Sequence, residues 1–198
     1  MVRADKGADG RYNAGLDHQE QALLEEAIAE YDEAIKLNPE FAEALRNRGV
    51  AYGELGQVGR AIQDYQTVIP WNSEDAVAYI NLGLLFHQIG QPENAALAYT
   101  EAMRVDAKIA LAYLNRGAVY DNMKQHEKAV EDINEAIRLN PKEALAFIPR
   151  LLPTSNWDNR TKLSRTTTKL SGWTRKMPRL TPDGAACTSG PASTKGPS

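Results

Sequence analysis

Between residues 76 and 88 the chain places Tyr79, Leu82, Gly83 and Phe86 at i, i+3, i+4 and i+7. This spacing puts all four on one stripe of a helix. The stretch "IGQPEN", residues 89–94, then interrupts the pattern. Gly90 there suits a helix end, and Pro92 suits the first turn of a following helix. The same pair of predicted helices recurs along the chain. Asn13, Asn47, Asn81 and Asn115 are spaced 34 residues apart, as are Gly15, Gly49, Gly83 and Gly117. Ala27, Ala61, Ala95 and Ala129 keep the step, and so do Tyr31, Tyr65 and Tyr99, with Ile133 in the fourth place. Ala34, Ala102 and Ala136 follow, with Val68 in the second unit. Pro39 and Pro141 close the first and last units, where Ser73 and Ala107 stand in the middle two. Pro70 is predicted to end the second helix of unit two, because an interior proline costs ~3 kcal/mol.

This period and residue set resembles the tetratricopeptide repeat, a helix–turn–helix of about 34 residues. The resemblance covers residues 8–143 as four units, 8–41, 42–75, 76–109 and 110–143, after a flexible start at residues 1–7. It implies an all-α fold, a right-handed solenoid of helix pairs. One unit cannot bury both faces of its helices, so stability must come from stacking. Arg48 and Arg116 stand where the family commonly has an apolar residue. Their stems are expected to cover the core while the charged heads reach solvent.

The rule fails abruptly. Ala144 to Phe147 open a fifth unit in register, and Pro149 then forbids the helix. Charge changes at the same place: residues 1–143 carry 14 Lys+Arg against 24 Asp+Glu, and residues 144–198 carry 9 against 2. Rich in Ser, Thr and Pro, residues 144–198 read as a disordered tail. Their codons suggest how it arose. Shifting the reading frame by one base permits a further unit across residues 155–182, with its signature Gly, Ala, Tyr, Ala and Pro in register. Three hidden letters involve no synonymous choice. Trp157–Asp158 forces Gly, Trp173–Thr174 forces Asp, and Met177–Pro178 forces Ala. The tail is therefore read as out-of-frame repeats. Its basic residues, Arg160 to Arg179 with Trp157 and Trp173 interleaved, resemble a nucleic-acid patch. On the frame-slip reading that patch was never selected, so no nucleic-acid partner is expected.

Candidate chemistry is sparse. His18, His87 and His126 fall in three different units with no pair at metal-ligand spacing. There is no phosphate-loop pattern. Neither an enzyme, a metal nor a cofactor is expected. Apolar runs such as Leu82 to Phe86, interrupted by Gly83, are far shorter than the ~20 residues of a membrane span. The first ten residues contain no secretory-type apolar segment. With Cys187 as the single cysteine, a reducing, cytoplasmic setting is expected.

The resemblance implies that the first helices line a concave groove, so a protein or peptide partner is the expected ligand. With Tyr79, Leu82, Gly83 and Phe86 assigned to the stack, the remaining face carries Val77, Ile80, Leu84 and His87. The matching set in unit four is Leu111, Leu114, Ala118 and Asp121, and in unit two it is the more polar Glu43, Arg46, Val50 and Gly53. Packing between adjacent first helices is the other use these residues could have. Asn13, Asn47, Asn81 and Asn115 flank the face. An amide offers both donor and acceptor to a peptide backbone, and the row resembles the asparagine ladder in the superhelix of O-linked N-acetylglucosamine transferase. Bonding between neighbouring helices is again the alternative. The chaperone-tail carboxylate clamp of some relatives is not expected, because Tyr12, Leu16, Val77 and Asn81 occupy its places and only Asn47 matches. A second function class is weak self-association through the uncapped end of the fourth unit. The frame-slip reading has a direct check in the coding DNA, whose synonymous codons should spell the hidden unit; codons that do not spell it end that reading.

Overall fold

The computed structural model describes residues 7–142 and residue 144. Eight helices follow one another: α1 (Ala8–Glu20), α2 (Leu24–Leu37), α3 (Ala42–Glu54), α4 (Val58–Val68), α5 (Ala76–Gln88), α6 (Pro92–Val105), α7 (Ala110–Asn122) and α8 (His126–Leu139). No strand occurs among the described residues. Each helix packs on the next, and α3 with α5 and α5 with α7 also touch. The architecture is thus an all-α repeat stack, with first helices side by side in a row. Pro92 opens α6 as expected. Helix α4 stops at Val68, two residues before Pro70, and is the shortest of the eight.

The turn inside each unit is built the same way four times. The N–H groups of Ala22, Gly56, Gly90 and Lys124 bond to the carbonyl three residues back at 2.9–3.1 Å. The next N–H, from Leu23, Gln57, Gln91 and Gln125, reaches the carbonyl five residues back at 2.8–2.9 Å. This paired closure satisfies the last carbonyls of the helix and needs one residue in the left-handed region. The four φ values are 58°, 73°, 72° and 61°. Gly56 and Gly90 adopt them freely, whereas Ala22 and Lys124 carry a Cβ into that region at a strain of roughly 1 kcal/mol.

Tyr31, Tyr65 and Tyr99 are fully buried, and each ring lies against the glycine of its own first helix. A Cβ on Gly15 would stand 2.4 Å from the Tyr31 ring, and one on Gly83 would stand 2.6 Å from the Tyr99 ring. At Gly49 and Gly117 the nearest atoms, from Tyr65 and Ile133, would be 3.1 Å away. Ala27, Ala61, Ala95 and Ala129 are buried beside them on the second helices. Small residues on one helix and a large ring on the other thus let each pair close to packing contact.

The two arginines do not behave as expected. Their heads stay inside. Arg48 donates two hydrogen bonds to Asp64 at 2.9 and 2.6 Å and a third to Asp32 at 2.6 Å. Arg116 donates two to Asp132 at 2.8 and 2.7 Å and one to Thr100 at 2.9 Å. Asp64 and Asp132 are themselves buried. Burial alone would lower the Arg48 guanidinium, but the carboxylates of Asp64 and Asp32 outweigh it and hold it above its ordinary value. At Arg116 the bonds to Asp132 act in the same direction. A charged donor set surrounded by carboxylates gains more from two-point bonding inside than from a route to water.

Pro141 and Lys142 are helical again. Ala144, the first residue of the expected tail, is fully buried in a cluster with Ala110, Leu114, Ile133, Ala136 and Ile137. It takes the opening position of its unit, as buried Ala76 and Ala110 do. The core of unit four therefore runs one residue past the expected boundary. The remaining tail, with its expected disorder and out-of-frame repeats, lies outside the described residues.

Unit three contains Leu82 and Ala98 where units two and four have the Arg–Asp pair. Arg48→Leu alone should destabilise by about 3–5 kcal/mol, because it strands a buried carboxylate. Arg48→Leu combined with Asp64→Ala should recover most of that loss in a denaturant titration. Equal loss in the single and double variants would contradict the pairing.

Candidate functional site

The first-helix row presents one stripe per unit. On α5 it runs through Val77, Asn81, Leu84 and Gln88, and on α3 through Glu43, Asn47, Val50 and Glu54. On α1 it runs through Asp9, Asn13, Leu16 and Glu20, and on α7 through Leu111, Asn115, Ala118 and Asn122. Three ties join neighbouring stripes. Asn47 of α3 donates to the Tyr12 hydroxyl of α1 at 3.0 Å. Arg46 of α3 meets Asp75, the N-cap of α5, at 3.0 Å. Asn122 of α7 donates to Nε2 of His87 on α5 at 2.8 Å, in the tautomer that leaves that nitrogen free to accept. The stripes therefore form a continuous surface.

The expected apolar floor divides in two. Val77 is 55% exposed and Leu84 44% exposed, both available to a ligand, while Leu111 is half-buried. Ile80 at 5%, Leu114 at 0% and Ala118 at 6% are core residues instead. The burial of Ile80 and Leu114 has a common cause. The fifth residue of each unit points toward the start of the following first helix. Tyr12 lies against Phe41, the N-cap of α3, with tilted rings whose centroids are 5.0 Å apart, and Arg46 reaches Asp75, the N-cap of α5. Ile80 joins the cluster containing Ala112 and Val119 of α7, and Leu114 joins the one containing Ala144. Ile80 and Leu114 are seam residues, the alternative use that packing between first helices allowed. Sequence reasoning treated Arg46 as floor polarity and missed its role as the equivalent seam link.

The asparagines are likewise divided. Asn47 and Asn81 are half-buried and spend an N–H on a tyrosine hydroxyl, Asn81 donating to Tyr65 at 3.0 Å. Asn13 is exposed. Asn115 stands in the same relation to Tyr99 as Asn81 does to Tyr65, sixteen residues on. Yet the buried Tyr99 hydroxyl has no hydrogen-bonding partner among the described residues. Burial pushes the Tyr65 hydroxyl up to about 12, against an opposing effect from the Asn81 N–H. Burial raises Tyr99 as well, with no bond opposing it. All three interior tyrosines are thus neutral hydroxyls at ordinary pH.

Charge is graded along the row. Asp9, Glu20, Glu43 and Glu54 are exposed on α1 and α3 with no ion-pair partner among the described residues, and Arg46, beside Asn47 on α3, is tied to Asp75. On α5 and α7 the exposed stripe residues are uncharged. Unit four does not end on a bare apolar face: α8 exposes Glu127, Lys128, Glu131 and Arg138. Among the described residues no group of three or more His, Cys, Asp or Glu could hold a metal, and no helix is long and apolar enough to cross a membrane.

The different environments of the two asparagines have a measurable consequence. Asn81→Ala should cost about 0.5–1.5 kcal/mol in thermal or denaturant unfolding, because it removes a donor from a buried hydroxyl. Asn115→Ala should cost much less. Equal losses would contradict the bonding described for Tyr65 and Tyr99.

Comparison with known families matches a TPR repeat model to residues 23–56 and tetratricopeptide repeat models to residues 76–109 and 110–143. No curated protein matches the sequence. Among solved structures the fold is similar to a crystal structure of MamA protein, 24% identical, covering 85% of this chain and 96% of that one with a TM-score of 0.69. It is also similar to MamA 41-end from Desulfovibrio magneticus RS-1, 22% identical, covering 88% and 98% with a TM-score of 0.71. The family matches fall on helix pairs that carry the glycine and alanine positions of the stack, α2 with α3, α5 with α6 and α7 with α8, and together they span just over half of the 198 residues. The chain belongs to the tetratricopeptide repeat family.

Proposed function

We propose that the chain is a protein-interaction adaptor that holds an extended or short helical segment of a partner along the first-helix row. The observation that carries this reading is the exposure of Val77 and Leu84 in the middle of a surface on which Leu16, Val50 and Leu111 are half-buried and Ile80 and Leu114 are drawn into the seams. A rigid row of helices offers a long contact at little ordering cost. Asn13 and Asn115, whose amides are not committed to tyrosine hydroxyls, are placed to bond the backbone of such a segment. Asn47 and Asn81 keep a carbonyl for the same purpose while their N–H groups hold the stack. His87, tied to Asn122, borders the contact. Self-association through the end of unit four is the weaker reading, because the exposed side chains of α8 are charged.

A peptide selected on the full chain tests the proposal by titration. Leu84→Glu and Val77→Glu should stay folded by circular dichroism, since both side chains are exposed, and should weaken binding roughly tenfold or more. Leu114→Glu should unfold the chain rather than merely block binding. Folded Leu84→Glu and Val77→Glu variants that bind as wild type does would move the site elsewhere.

A further inference from the structure

The gradient along the row narrows the chemistry of the occupant. Over α1 and α3 the exposed flanks carry four carboxylates, Asp9, Glu20, Glu43 and Glu54, and none has an ion-pair partner among the described residues. The second and thirteenth positions of each unit make these flanks: acidic in units one and two, then Val77 and Gln88, then Leu111 and Asn122. Between the flanks the ninth positions are apolar, with Leu16 and Val50 half-buried, Leu84 exposed and Ala118 buried. On α3 the two carboxylates lie eleven residues apart, ~16 Å along the helix, one on each side of Val50. A ligand crossing the row there must pass between them. We infer that the partner segment is bipartite, with lysine or arginine side chains over α1 and α3 and apolar side chains over α5 and α7. This rests on the groove reading above and adds the composition and register of what the groove takes.

The charge complementarity is specific to this arrangement. A neutral or acidic segment laid across α3 meets two carboxylates that have no ion-pair partner among the described residues, and the neighbouring Arg46 is held by Asp75. Like-charge approach of that kind opposes binding and selects the partner as strongly as attraction does. Over α5 and α7 the preference reverses. There a charged side chain would lose solvation against Val77, Leu84 and Leu111 without an ionic partner. The two halves together discriminate by order, so a segment with the same composition shuffled along its length fits less well.

A displayed library of short random peptides, selected on the full chain, reads this out directly. The expected winners carry Lys or Arg in one half and Leu, Ile, Val or Phe in the other. A winner should bind the Glu43→Lys/Glu54→Lys variant roughly fivefold or more weakly, and binding to wild type should weaken with added salt. Peptides that depend on Leu84 but show no cation enrichment, and bind the charge-reversed variant unchanged, overturn this inference while leaving the groove reading intact. If no winner depends on Val77 or Leu84, the groove reading itself fails. Mass that rises with concentration and is abolished by Leu84→Glu would make a second copy the occupant. Cross-links from residues 160–179 to Glu43 in the free chain would make the chain's own basic segment the occupant. Either result overturns the inference of a separate partner.

Discussion

A tyrosine ring seated where a glycine leaves room sets the geometry on which the rest of the structure depends. Gly83 faces the Tyr99 ring so closely that even a methyl group would collide with it, and Gly15 faces Tyr31 in the same way. The separation of the two helices in a unit is fixed by that contact. In unit two the same side chain also reaches the next unit. Gly49, Tyr65 and Asn81 follow one another at steps of sixteen residues, and the Asn81 N–H bonds to the Tyr65 hydroxyl. That one ring couples the packing within its unit to the register with the next. The other units lack this bond: Tyr31 donates to Gln19 of its own unit, and the Tyr99 hydroxyl has no hydrogen-bonding partner among the described residues. Unit four has no tyrosine at this place. Ile133 fills the space beside Gly117 without a hydroxyl, and Pro149 stands where the next asparagine would be.

A second constraint is the polarity buried beside that contact. Arg48 with Asp64 and Arg116 with Asp132 fill the space that Leu82 and Ala98 fill in unit three. The guanidiniums also lie over the rings of Tyr52 and Tyr120, at 5.6 and 5.5 Å, with Arg60 and Lys128 near the same rings. Such pairs add little net stability over an apolar core, but a wrong neighbour would strand a charge. The alternation of charged and apolar units along the stack thus penalises slipped pairings. It also leaves the first-helix row free of these arginines, whose charge is spent inside.

Much of the fold was legible because its rules are local and repeat. Glycine, alanine and tyrosine at a constant step identify a close helix pair wherever they occur, and the start of each first helix follows from the same step. The candidate surface was less legible because a helix in a stack has two neighbours, and periodicity on one helix cannot separate groove from seam. Ile80 and Leu114 lie only one helical step from Tyr79 and Tyr113, so an apolar stripe gives no sign of which side meets the next unit. The seam becomes visible only when Tyr12, Arg46, Ile80 and Leu114 are compared as one position, each meeting the unit that follows. The arginines misled for a related reason. A long charged side chain reads as a route to solvent until its partners sixteen residues away in both directions are counted, Asp32 and Asp64 for Arg48 and Thr100 and Asp132 for Arg116.

Mapping the backbone amides perturbed by a selected peptide tests the central claim most directly, because it reports the contacted surface without altering the chain. The account predicts changes confined to the stripes of α1, α3, α5 and α7, strongest around Val77 and Leu84 and extending to Glu43 and Glu54. Changes centred on the outer faces of α2, α4, α6 or α8, for example around exposed Leu97, with the first-helix row silent, would contradict it.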